Sequence, residues 1–242
     1  MRSLIAALAT LALVAVGAQA ASAEVESTLL ARAILPADVY QPGPISGTFI
    51  TGDNGVTPPF PGQPIPGFSA VLDAGHGEFW AMPDNGYGAK TNSGDFLLRV
   101  YRIRPDFKTA DGGSGAVDVL SFVQLRDPDG KVPFALFRGD RLLTGADFDI
   151  ESMRVARDGT FWFGDEFGPF LLHTDGTGKL VEAPISLPGV QSPQNPFLRT
   201  RTPGRSAQAA ASKPRLRAST ASVSTRCWRA RCGRIPMYAD GS

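Results

Sequence analysis

Between Gly145 and Leu180 the chain reads GADFDIESMRVARDGTFWFGDEFGPFLLHTDGTGKL, placing five carboxylates, Asp147, Asp149, Glu151, Asp165 and Glu166, on the two arms of one expected hairpin. Carboxylates gathered at one end of a hairpin raise each other's pKa unless a cation sits among them. A hard divalent ion answers that need: calcium (Ca2+) takes oxygen ligands from Asp, Glu, backbone carbonyls and water, and magnesium does so with fewer protein ligands. The expected ligands are Asp149, Glu151, Asp165 and Glu166, joined by Asp84 and Asn85 from an earlier, similar stretch. The competing reading makes these acids the solvated rim of a hairpin, salt-bridged to Arg154, Arg157 or Lys179.

Alternate residues of a strand share a face, so Asp147, Asp149 and Glu151 are expected in one row that Met153 and Val155 continue as apolar packing. Asp158-Gly159 is a hairpin signal, and Phe161, Trp162 and Phe163 suit the return strand, which carries Asp165 and Glu166 back toward the acidic end. The stretch from Gly67, GFSAVLDAGHGEFWAMPDNGYG, repeats this order of strand, Gly turn, aromatic pair and acid. Trp80 stands four residues before Asp84, and Trp162 four before Glu166. Repeated strand-turn-strand units ending in an acid favour radial β repetition, a β-propeller, over paired hairpins in a sandwich.

The wider chain supports an all-β, propeller-like class, a partial ring of repeated hairpin or blade units. Short apolar runs, Phe68 to Leu72, Phe79 to Met82, Phe96 to Ile103 and Val117 to Leu125, are separated by Gly, Pro, Asp and Asn with no sustained helical period. Gln41 to Pro66, rich in Pro and Gly, is expected as a surface loop or edge connection. Residues 1–23 have a basic Arg2, an apolar run from Leu4 to Val16 and small-residue cleavage options, the pattern of a secretory signal peptide, which predicts a periplasmic or secreted protein with no membrane attachment after cleavage.

Residues 24–200 form the expected propeller domain, and residues 201–242 a basic, low-complexity, disordered tail. That tail holds nine Lys and Arg against one acid, leaving 15 against 22 in the rest, so the near-neutral total hides two opposite parts. Export argues against a nucleic-acid partner. Read two nucleotides later with GC-rich codons, the tail yields another Glu, Asp-Gly, aromatic, Glu pattern like Glu151, Asp158-Gly159, Trp162 and Glu166. The expectation is therefore that the frame is lost near Pro203, that this copy is truncated and inactive, and that Cys227 and Cys232 form no structural disulfide.

Other chemistry-bearing residues have simpler expected roles. Ser152 lies outside a Gly-x-Ser-x-Gly elbow, so serine hydrolysis is disfavoured. His76 reads as a turn residue, His173 as a strand end, and Trp80 and Trp162 as core. Arg99, Arg102 and Arg104 read as a solvated strand face rather than a phosphate clamp, and Asp127 to Gly130 as a turn rather than a calcium loop.

Three blocks, PGQPIPGFSAVLDAGHGEFWAMPDNGYGAK, FLLRVYRIRPDF and the acidic stretch above, resemble the bacterial phytase-like family described by an "esterase-like activity of phytase". The resemblance covers Ile34 to Leu198. It implies an exported β-propeller acting on a small phosphorylated or ester substrate, most simply as a monomer. It also implies phosphate-ester hydrolysis, for which the residues themselves suggest a carboxylate-bound divalent metal, with Glu151 and Glu166 as the expected catalytic carboxylates. The alternative is a non-catalytic propeller that binds a ligand or partner through its acidic face.

Overall fold

The computed structural model describes residues 28–52 and 55–198; the expected signal peptide and the basic tail with its two cysteines lie outside them. Among the described residues every regular element is a strand. A two-residue pair, β1 (Tyr40–Gln41) with β2 (Gln63–Pro64), precedes two larger sheets. The first runs β3 (Ala70–Gly75), β4 (Glu78–Met82), β5 (Arg99–Pro105), β6 (Val117–Gln124), and the second β7 (Ile150–Val155), β8 (Phe161–Asp165), β9 (Phe170–Thr174), β10 (Ile185–Ser186). Each is a four-stranded antiparallel meander in sequence order, and the leading strands β3 and β7 lie against each other. Four-stranded meanders repeated with their first strands side by side are propeller blades, so the fold is all-β and propeller-like.

Local chemistry explains both leading hairpins. Between β3 and β4 the chain reverses over His76 and Gly77, at φ 57° and 73°. Two left-handed residues give the type I′ twist that antiparallel strands prefer. Between β7 and β8, Gly159 takes φ 83°, its N–H donates to Ala156 O, and the Asp158 carboxylate accepts from Thr160 N and Oγ1.

The main core fills the space between the sheets. Met82, Leu98, Val100 and Leu125 of the first meet Ile150, Met153, Phe161, Phe163, Phe170 and Leu172 of the second, with Trp80 edge-on to Phe161 at 5.4 Å. A second cluster, Ala81, Tyr101 and Ile103 with Ile65, Leu35 and Phe68, covers the first sheet's other face.

The Gln41–Pro66 segment, expected as a surface loop or edge connection, is mostly exposed but anchored at Gln63, which is fully buried, donates to Pro44 O and Asp95 O, and accepts from Leu97 N. One expectation needs correction. The three arginines are not a solvated row. Arg99 is buried against Gln124 and Pro42 O, while Arg102 and Arg104 both pair with the nearly buried Glu78. The register shift here leaves Leu120 of β6 as the extra residue, so Arg102 and Arg104 keep their alternation with the buried Ile103, and it is the burial of Arg99 that breaks the row.

Candidate functional site: an acidic mouth at the ends of two hairpins

Strand β7 begins at Ile150, so Asp147 belongs to the preceding turn and not to the acidic row. Its buried carboxylate accepts from Phe137 N at 2.7 Å and from Thr144 N and Oγ1 at 2.9 and 2.8 Å, closing that turn from inside. The row does not run on into apolar packing either. Ile150 pairs with Asp165 and Ser152 with Gly164, leaving Glu151 as the extra residue of a β-bulge. The bulge resets the alternation, so Ile150 and Met153 both face the core and Glu151 is turned out.

That re-aiming brings three carboxylates together. Asp149, Glu151 and Glu166 offer oxygens that all lie within 4.8 Å of one another. Asp149 is half-buried and Glu166 exposed. Burial pushes the Asp149 carboxyl up to about 6 against a stabilising bond from Asn85 N, with the charges of Asp84, Glu166 and Asp165 adding to the rise. Glu151 is pushed up to about 7, by burial first and then by Asp149, Asp84 and Glu166. None of the six ion pairs among the described residues involves these three acids, so Arg154, Arg157 and Lys179 do not neutralise them.

The remaining expected ligands stand around the three and hold them. Asp165 is buried, and its two oxygens accept from Asp149 N (2.7 Å) and Gly168 N (2.8 Å); burial raises its carboxyl to about 6. Asn85, also buried, donates from its backbone N–H and Nδ2 to the two oxygens of Asp149 at 3.2 and 3.1 Å, while its own Oδ1 accepts from Gly88 N. Asn85 therefore fixes a carboxylate from the other sheet. Asp84 accepts from Gly86 N, and its charge bears on both Asp149 and Glu151.

The seam between the hairpins depends on Gly145. A Cβ there would meet the Asn85 carbonyl oxygen at 2.0 Å, so any larger residue would drive the Asp84–Asn85 loop away from Asp149.

The other candidates are placed elsewhere. His76 is exposed in its turn, and Ser152 is exposed on β7. His173 stacks on Trp162 at 3.9 Å and shares a 2.9 Å hydrogen bond with Glu182. Asp127 is fully buried, accepts from Lys131 N and Val132 N, and pairs with Arg141, so the Asp-Pro-Asp-Gly segment is a braced turn.

One nearby residue escaped the sequence reading: Lys90. Its ammonium lies 5.2 Å from the Phe167 ring centre, and its charge bears on Asp147 and Asp165. A lysine six residues beyond Asp84 carries no motif that would single it out.

Donors that are all carboxylate oxygens, crowded and without a basic partner, suit a hard divalent cation. Two blade-like sheets whose leading hairpins end in such a cluster define a propeller-like protein with an acidic mouth. The chain belongs to the phytase-like family, described as "Esterase-like activity of phytase", whose model matches residues 63–213. That span contains both sheets and every residue of the mouth, and it runs into the first part of the stretch expected to be out of frame. The family suggests a hydrolase of phosphate esters. Neither a curated protein nor a solved structure matches the chain.

Proposed function

We propose that this is an exported hydrolase of phosphate esters that works with a divalent cation, calcium in the simplest case, held by Asp149, Glu151 and Glu166. The observation that carries the proposal is the convergence of those three carboxylates within 4.8 Å at the acidic end of the β7–β8 hairpin, with Asn85 of the other sheet holding one of them. When bound, such an ion neutralises phosphate oxygens and lowers the pKa of a water.

The chain itself supplies orientation and proton acceptance. Asn85 and the Glu166 N–H, which donates to Asp149 O, fix Asp149 in place, and Asp165 braces the strand end behind it. Glu166 is exposed and its carboxylate accepts no hydrogen bond among the described residues, so its oxygen not turned to the ion would be open to take a proton from an attacking water. Glu151, turned out by its bulge, is the second carboxylate assigned to the reaction. The leader-like residues 1–23 support export to the periplasm or beyond.

The test is phosphate release from an aryl phosphate by purified protein, with the reading frame after Pro203 first established from the nucleotides. Calcium-dependent release that is lost with chelator and with Glu151→Gln is the expected result. Calcium binding without turnover would instead favour a non-catalytic acidic face. If residues 201–242 are out of frame, the frame-restored chain is active and this copy is not.

A further inference from the structure

Lys90 lies on a braced turn. Asn92 N donates to Ala89 O, Asn92 Nδ2 donates to Tyr87 O, and Ala89 N donates to the Asn92 side chain. The ammonium is partly exposed and belongs to none of the ion pairs among the described residues. The two buried carboxylates it influences, Asp147 and Asp165, already have both oxygens occupied by N–H or O–H donors. A cation is thus held beside the acidic mouth with its own donors unspent.

Among the described residues Lys90 is also the one cation lining a cavity of ≈ 420 Å³ whose other walls include Phe134, Leu136, Phe137, Pro196 and the turn at Asp147. Those walls are preorganised. Phe134 packs against Phe148 and Phe170 at 5.7 and 6.0 Å, and the Phe137 N–H is tied to Asp147. Phe137 itself is 55% exposed, an apolar surface open to an arriving molecule.

We propose that this cavity is the substrate's subsite: Lys90 pairs with the phosphate, and the Phe134–Phe137 wall takes an apolar alcohol group. The inference rests on the hydrolase reading above and narrows it to one class of substrate. The preferred ester carries a single phosphate and an aromatic or alkyl group. A polyphosphorylated polyol would bring many negative charges to a mouth rich in carboxylates, would find a single lysine in the cavity, and would leave the aromatic wall uncovered. Lysine acts as a point charge for one phosphate rather than as a fork for several.

Calorimetric titration of the full chain in calcium buffer, with phenylphosphonate, methylphosphonate and inositol hexakisphosphate as probes, tests this without requiring turnover. Phenylphosphonate is expected to bind about tenfold or more tightly than methylphosphonate, from burial of its ring. Lys90→Gln should weaken both by about tenfold or more, the loss of a charge-assisted bond, and Lys90→Arg should keep most of the affinity. Phe137→Ser should weaken phenylphosphonate alone, with melting curves of all variants checking that the fold is intact. Equal affinity for the two small phosphonates, an unchanged Lys90→Gln, or tightest binding of the hexakisphosphate would overturn the subsite. The expected binding pattern without phosphate release would sink the hydrolase reading and leave the subsite standing; release without that pattern would do the reverse.

Discussion

The β3–β4 and β7–β8 hairpins share a sequence plan yet do different work, and the position of one extra residue separates them. In the first, the register slips between Asp73 and Gly75, beside the turn; in the second it slips between Ile150 and Ser152, beside the acidic end. A bulge re-aims side chains where it sits. The first hairpin therefore delivers a loop whose Asn85 holds a neighbour, and the second turns Glu151 toward Asp149 and Glu166. Their surroundings differ as well. The first sheet is covered on both faces, with Trp80 packed into the core between the sheets, whereas Trp162 faces away from that core and stacks on His173.

The largest test of this contrast removes the two repeat-related tryptophans. Trp80→Ala should cost about 3 kcal/mol in urea unfolding, the low end for a core aromatic because Trp80 is partly buried against the core. Trp162→Ala should cost less than half of that, because only a face-stacked histidine and strand neighbours are lost. Equal losses would mean that the two sheets are packed alike.

Of similar size is a pH effect centred on the second hairpin. Burial pushes the carboxyls of Asp149, Asp165 and Glu151 up to about 6, 6 and 7, above the ordinary 3.8, 3.8 and 4.5. A carboxyl raised on folding holds its proton more tightly folded than unfolded, so stability is full at low pH and is lost as pH rises through the folded values. Without divalent ions, stability should therefore fall between about pH 4 and pH 7, by roughly 3 kcal/mol, most of it from the buried Asp165 because Asp149 and Glu151 are open to water. For a domain of this size that is a drop of about 6–12 °C in melting temperature. A melting temperature that climbs over the same range would contradict the crowding of these acids.

The smallest effect belongs to the first hairpin's turn. His76→Asn keeps a residue that tolerates positive φ, so stability should stay within about 0.5 kcal/mol of the parent. A larger change would show that the exposed imidazole has a partner.

The sequence made the repeat visible because strand alternation, Asp-Gly and His-Gly turns and paired aromatics are local signals, and each hairpin is built from local signals. It also showed which acids to examine, since Asp84, Asn85, Asp149, Glu151, Asp165 and Glu166 all end or flank those hairpins. It could not sort them. Bulges change side-chain phase without leaving a residue-type signature, so Asp147 counted into a row from which the turn removes it. Asn85 and Asp165 look like ligands on paper, yet their polar atoms are engaged by Asp149, Gly88 and Gly168. Lys90 and the Arg102–Glu78–Arg104 pairing arise from contacts across the fold that no spacing encodes.

The central claim is that the acidic end of the second hairpin, braced by Asn85 of the first, holds one divalent ion, and calcium titration by calorimetry, paired with melting curves, tests it most directly. The parent should bind calcium and gain melting temperature with it. Glu151→Gln should lose that response, and Asn85→Ala, which of the three carboxylates removes a bond to Asp149 alone, should weaken binding about 10- to 100-fold. Calcium binding that survives both substitutions unchanged, or a parent whose melting curve ignores calcium at pH 7.5, would contradict the account.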